Sequence, residues 1–272
     1  MTPLLDALAV HGRWARRGAV VAIWFGFSAT MVALAVAQAL VERRLGLSGG
    51  VSVVIVAGVW AGWTYWHSFA FLRHRERYLA QLSRPYRRAL VFDLYPGMSV
   101  SFSQMLRSSW NGANLRAGRV LPQLPHNAGR AIEMAAGWLL AAGAFTVFSA
   151  AWLTLGTARV GFVPEFVGTD VFVPLRRGPY RSVRHPLFWS GIGLSCALAL
   201  ISGTATALAV AAVNFAYGIV YNTLEDRRLG LVFGQRYSSY AREVPHIIPA
   251  RMMLHGVNGQ GQNANSPLSR RR

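Results

Sequence analysis

Lysine is absent from this chain: all 28 basic residues among its 272 are arginine. Genome composition accounts for such a bias, and no function is drawn from it. Cysteine is nearly absent too. Cys196 stands alone inside an apolar run, which excludes an internal disulfide and a multi-cysteine metal site and leaves a small core residue as its reading. Acidic residues number only 10, and all charged residues together make up 14% of the chain. A soluble domain carries roughly 25%, so an ordinary soluble enzyme is a poor match. No internal repeat is visible. The first apolar run is too long for the h-region of a cleavable signal peptide.

What is present is apolar. Hydrophobic residues make up 53% of the sequence and the mean hydropathy is +0.30. The formal net charge is +18, a balance also found in nucleic-acid binders. Here, however, the arginines flank apolar spans instead of gathering in one patch. That is the pattern of the positive-inside rule and of anionic head groups. The expected partner is the lipid bilayer, with no nucleic acid.

About 20 apolar residues span a bilayer as a helix. Residues 18–41 carry no charge and form the first expected span, stopped by Glu42-Arg43-Arg44 and turned by Gly49-Gly50. Residues 51–72 form the second, with Trp60, Trp63, Tyr65, Trp66 and His67 in its far half. Aromatics of this kind belong at the lipid–water interface, so His67 is read as a hydrated interfacial histidine. Residues 73–130 follow with ten arginines. Within them, 89–106 is semi-apolar but holds Asp93, Pro96 and Gly97, so an interfacial or re-entrant segment is expected. Residues 111–129 read as loop. Residues 131–156 are the third span. After a polar linker, 157–185, the runs 187–201 and 205–224 are split only by Ser202-Gly203-Thr204 and make a tight helical hairpin. The fold class is therefore all-α integral membrane, with about five transmembrane helices and a C-terminal hairpin. Residues 1–130 form an N-terminal membrane region, 131–254 a core, and 255–272 a disordered tail.

This topology contains a conflict. The hairpin puts the linker, the Glu225 block and the C-terminal segment on one face. Three preceding spans put the N-terminus and the arginine-rich connection on the other, where the positive-inside rule does not favour them. A further crossing near 89–106 removes the conflict.

Chemistry concentrates around the hairpin. Gly178-Pro-Tyr180-Arg181-Ser-Val-Arg184-His185-Pro186 precedes it, and Glu225-Asp226-Arg227-Arg228 closes it. On the last helix Asn214, Tyr217, Tyr221 and Glu225 recur at spacings of three, four and four, which puts them on one face. Polar groups inside a span are costly and face a protein interior or a wet cavity. Interhelical hydrogen bonding serves equally well for Asn214 and Tyr217; Glu225 is read as functional. His185 alone carries little weight, because a histidine at the start of a span is usually just hydrated. Its company carries the argument.

The motif Gly-Pro-Tyr-Arg-Ser-Val-Arg-His-Pro, the acidic pair some 40 residues later, then Phe-Gly-Gln-Arg-Tyr-Ser-Ser-Tyr and Val-Pro resemble the isoprenylcysteine carboxyl methyltransferase family. That superfamily also takes in the phospholipid methyltransferases. The resemblance covers about residues 174–249. Two positions depart from it: Asp226 where a second glutamate is common, and Phe188 where a tyrosine often stands. It implies a membrane-embedded methyltransferase using S-adenosylmethionine, with a cofactor pocket at the cytosolic face, in a bacterial inner membrane. Tyr180, Arg181, His185, Pro186, Tyr221, Glu225, Tyr237 and Tyr240 would bind the cofactor, and Glu225 and Arg184 would be catalytic. No metal is implied. A carboxylate suits ribose hydroxyls, and Arg or His suits the cofactor's amino-acid end. Arg184 or Arg242 is the candidate to hold an anionic substrate. The acceptor stays open between a prenylcysteine carboxylate, a phospholipid amine and a small thiol or other lipophilic metabolite. A lateral opening beside the hairpin would favour a lipid-like acceptor. The competing readings are an NADPH-dependent sterol or steroid reductase, against which the acidic pair argues, and a non-catalytic membrane scaffold.

Overall fold

The computed structural model describes residues 2–8, 10–81, 84–112, 128–167 and 175–246; the tail at 255–272 and most of the loop at 111–129 lie outside them. Among the described residues the chain is helical throughout, with no strand. After a short α1 (Thr2–Ala7) come α2 (Arg13–Arg44) and α3 (Gly49–Tyr65), the latter running on through one π-helical turn, Trp66–Ala70. Then follow α4 (Phe71–Gln81), α5 (Pro85–Ala89), a second π turn at Leu90–Leu94, and α6 (Tyr95–Leu106). The C-terminal half holds α7 (Ala128–Leu155), α8 (Pro186–Ser202), α9 (Ala205–Phe233) and α10 (Gln235–Glu243). Among the described residues, four stretches are long and apolar enough to cross a membrane: Trp14–Arg44, Gly49–Ala70, Gly129–Leu155 and Ala205–Phe233. The shorter apolar α8 makes the fifth expected span.

The hairpin forms where the sequence marks it. Gly203 ends α8 in the left-handed region at φ 65°, a conformation that costs glycine little. Thr204 then caps α9, its hydroxyl accepting from the Ala207 amide at 3.1 Å. Such caps satisfy amides that the first helical turn leaves orphaned.

Residues 85–106 do more than the sequence suggests. Instead of lying at an interface, they run as a helical rod from one end of the bundle to the other. At the start of the rod the Tyr86 hydroxyl donates to the Gly161 carbonyl, 2.8 Å away. Past its end Arg107 meets Glu42, at the close of α2. Pro96 lacks an amide and would collide with the carbonyl four residues back in a regular helix. The π turn just before it widens the spiral there. Gly97 is needed for close approach, because a Cβ there would sit 2.2 Å from Trp63 Cζ3. The interruptions in the sequence are thus accommodated in a helix that buries one face, with Pro96 on its exposed side.

This passage resolves the topological conflict. The N-terminal head, the arginines at 73–88, the described parts of the linker, the Glu225 block and α10 all lie at one end, called here the site end. At the opposite end Arg107 and Glu42 form a wholly buried ion pair. Glu42 Oε2 also accepts from Ser52 Oγ at 2.6 Å and from the Gly112 amide at 3.1 Å. Arg130 covers the end of α8 by donating to the Leu200 carbonyl at 2.8 Å.

Asn214 lies in the middle of the bundle, fully buried. It donates to Ser195 Oγ at 2.7 Å and to the Gln104 carbonyl at 3.1 Å, and it accepts from Trp60 Nε1 at 2.8 Å. Four helices, α3, α6, α8 and α9, meet on one side chain. Asn214→Leu leaves the Trp60 donor orphaned and should cost about 1–3 kcal/mol. A denaturant titration in detergent reads this, and a cost below about 0.3 kcal/mol would contradict the role.

Candidate active site

The motif ahead of the hairpin folds as a 3₁₀ turn, Gly178–Arg181, whose fixed shape aims the following residues inward. Gly178 has φ +54°, and a Cβ there would lie 2.6 Å from Thr154 Oγ1, so no other residue fits. Pro186 opens α8 at its first turn, where a missing amide is harmless. His185 precedes it and is 8% exposed. The Arg184 amide donates to the Pro245 carbonyl at 3.1 Å, tying the motif to the end of the described chain.

Asp226 is the hub. Its Oδ1 lies 2.7 Å from His185 Nε2 and accepts from the Tyr237 hydroxyl. Its Oδ2 takes Arg184 Nη1 at 2.7 Å and stands 3.9 Å from His246 Nε2. Motif, α9 and α10 are thus pinned to one carboxylate. Glu225 is placed differently. One oxygen accepts from Arg228 Nη2 at 3.2 Å, and the other is 3.7 Å from His185 Nδ1, beyond hydrogen-bond reach. That oxygen keeps acceptor capacity for a ligand hydroxyl. Arg228, 2% exposed, also holds Glu165 from the linker. Its guanidinium lies over the rings of Phe162 and Phe71, 5.2 and 5.6 Å from their centroids. Phe162 has φ +61°, rare for a non-glycine residue.

Tyr240 donates to the Tyr180 carbonyl at 3.0 Å, closing the turn against α10. Burial pushes the phenols of Tyr180, Tyr237 and Tyr240 above the usual tyrosine range, and at Tyr237 the Asp226 charge adds to it. These hydroxyls stay protonated donors at neutral pH. Burial holds His246 below the ordinary histidine range, against the pull of Asp226.

A cavity of about 550 Å³ opens beside this cluster, within the usual range for small-molecule sites. Of the residues singled out from sequence, Tyr180, Arg184, His185, Tyr221, Glu225, Tyr237 and Tyr240 line it. Arg181 does not: it is exposed and lies off the cavity wall. Pro186 is buried behind the wall as the start of α8. Arg242 is exposed and donates to Ser239 at 3.2 Å. The polar stripe on α9 splits, since Tyr221 and Glu225 line the cavity while Asn214 and Tyr217 pack in the helix core. Asp226 stands behind the wall as a support.

From the polar cluster the cavity runs on as an apolar groove. Phe188 and Leu194 of α8 and Met98 and Met105 of α6 form its floor. Trp24 and Phe27 of α2 and Phe148 and Trp152 of α7 also line it, and the Trp24 and Trp152 rings meet with their centroids 3.5 Å apart. α7 packs closely on α8, whereas α2 and α7 meet through these two rings.

Sequence reading missed Glu165, which has no periodic pattern around it. It left Arg228 unassigned, although the spacing of three from Glu225 signals a shared helix face. His67 is a correction. It is wholly buried, stacked on Trp63 and Phe71 and 5.4 Å from the Tyr221 ring, not hydrated at an interface. Trp60, Trp63 and His67 of that aromatic stretch form a core, while Tyr65 stays exposed.

Residues 132–236 match the model of the phospholipid methyltransferase family, part of the membrane-embedded superfamily that the motifs resemble. The match spans α7 to the start of α10 and includes the motif, the hairpin and the acidic pair. It supports a membrane methyltransferase as the general class. No curated protein and no solved structure matches the chain.

Proposed function

We propose that this protein is an S-adenosylmethionine-dependent methyltransferase whose acceptor is lipid-like and lies along the apolar groove lined by α2, α6, α7 and α8. The observation that carries the reading is the continuity of one cavity, polar at the His185–Glu225 end and apolar along the groove. The donor set fits the cofactor. Arg184 and His185 supply donors for its amino-acid end, the unshared oxygen of Glu225 suits ribose hydroxyls, and the tyrosines and Phe188 give walls for adenine. When bound, the cofactor supplies an electrophilic methyl group on a cationic sulfur. The protein's own contribution is positioning and the exclusion of water. Asp226 fixes His185, Arg184 and Tyr237 so that the ligand meets them already oriented. The site end carries Arg73, Arg75, Arg77, Arg84, Arg87 and Arg88 as well as the motif arginines. The positive-inside rule therefore turns this end, and the cofactor, toward the cytoplasm.

Calorimetry with S-adenosylhomocysteine on detergent-purified protein, beside NADPH, tests the reading. Binding of the homocysteine product is expected, with Glu225→Gln weakening it about 10-fold, as for one hydrogen bond to a charged group. Binding of NADPH alone would replace this function with the reductase.

A further inference from the structure

The helical rod that starts at residue 85 carries a recess of its own, apart from the cavity. Arg84, Arg87, Arg88, Val91 and Phe92 follow one another at steps of three, one, three and one, the spacing that gathers side chains on one helical face. They line a space of about 450 Å³ on the outside of the bundle. All three arginines are exposed, and among the described residues no carboxylate lines the recess with them. Asp93 of the same rod turns instead to His74, 3.7 Å away, and Glu76 of α4 stays outside the recess. Like charges three and four apart on a helix repel, and arginine at the start of a helix also opposes the helix dipole. Both costs fall when an anion settles among the guanidiniums.

The other half of the recess is apolar. Val91 and Phe92 are 53% and 70% exposed. Phe92 lies about 12 Å along the rod from Arg84, at about 1.5 Å per residue, which carries this face from the head-group layer into the hydrocarbon. On the inner face Tyr86 and Ala89 are buried. Tyr86 donates to the Gly161 carbonyl at 2.8 Å, and its ring meets that of Phe166 edge-on, 5.8 Å between centroids. What binds outside therefore bears on the linker residues around Gly161 that form part of the cavity wall.

We propose that this face binds one anionic phospholipid from the leaflet at the site end, with its phosphate held by Arg84, Arg87 and Arg88 and an acyl chain laid along Val91 and Phe92. Guanidiniums match phosphate oxygens with paired N–H donors. A free phosphate would use the arginines alone, whereas the apolar half of the recess is accounted for only by a lipid. The bound lipid is a fixed structural ligand, separate from any lipid in the cavity. By steadying Tyr86 it holds the linker in place. The site stands whether or not the methyltransferase reading does.

The test uses the full-length protein in detergent micelles, titrated with two diacyl lipids that share their chains and differ in a phosphoglycerol or a phosphocholine head. Native mass spectrometry should show the phosphoglycerol lipid bound at least about 10-fold more tightly. Arg84→Gln/Arg87→Gln/Arg88→Gln should weaken it about 100-fold, since each cation near an anionic lipid surface contributes about fivefold. The same loss of charge from other exposed arginines at this end, in Arg73→Gln/Arg181→Gln/Arg227→Gln, should weaken it less than about threefold. Val91→Ser/Phe92→Ser should weaken it about 10-fold. Glycerol phosphate, the head without its chains, should not displace it at about 100-fold excess. Hydrogen exchange of the amides at 157–167 should slow at least about threefold when the lipid is added to the wild type, and not in the first triple variant. Equal weakening in the two arginine triples would mean attraction by overall charge and overturn the site. Displacement by glycerol phosphate would reduce it to a bare anion site and overturn the lipid, and unchanged exchange in the wild type would overturn the hold on the linker.

Discussion

Asp226→Leu is expected to lower S-adenosylhomocysteine affinity about 100-fold while the helices stay assembled. The carboxylate accepts from His185 and Tyr237 and pairs with Arg184, and it does so from behind the cavity wall. Removing it frees a histidine, an arginine and a tyrosine at once and leaves the arginine charge uncompensated. The loss corresponds to about 3 kcal/mol, one or two charge-assisted hydrogen bonds. Asp226→Glu keeps the charge and places the residue the family often has, so it should recover most of the affinity. Titration calorimetry on both variants, with thermal unfolding as a control for assembly, decides the matter. A fall of less than threefold in the leucine variant would show that the motif orders itself without this hub.

The second large effect lies at the other end. Arg107→Leu leaves Glu42 charged and buried, with only Ser52 and the Gly112 amide to hold it. Breaking a buried ion pair by removing one partner costs about 3–5 kcal/mol, which is a large part of a typical protein's stability. The double variant Glu42→Leu/Arg107→Leu removes both charges and should regain most of that loss. Unfolding midpoints in detergent for the wild type, Arg107→Leu, Glu42→Leu and the double variant form a double-mutant cycle. If the double variant is as unstable as the single one, the pair is valued for more than charge neutrality.

These two sites show what was legible in the sequence. The cluster around His185 and Glu225 could be read because its residues are unusual where they stand: charges beside membrane-length apolar runs, in a fixed order. The hairpin was equally plain, since Gly203-Thr204 is both a helix stop and a helix cap. Residues 85–106 were harder. Asp93 and Pro96 are ordinary signals of an interrupted helix, and nothing local tells that a π turn at 90–94 accommodates the proline. His67 misled for a different reason. Tryptophans next to a histidine mark a lipid boundary or a packed core equally well, and only the arrival of Phe71, Phe162 and Tyr221 from elsewhere in the chain decides it. Glu165 was invisible because its meaning lies in Arg228, 63 positions away, and no pattern in one strip of sequence reports such a pairing.

The apolar groove meets the polar cluster at the site end of the bundle. Trp24 lies near the start of α2, and Trp152 near the end of α7. A lipid lodged there presents its head at the membrane surface it already occupies. Under the proposed function, substrate and product would therefore belong to a single leaflet, with no flipping across the bilayer. Product can diffuse back into the monolayer it came from, ready for a second encounter if its chemistry allows another methyl group.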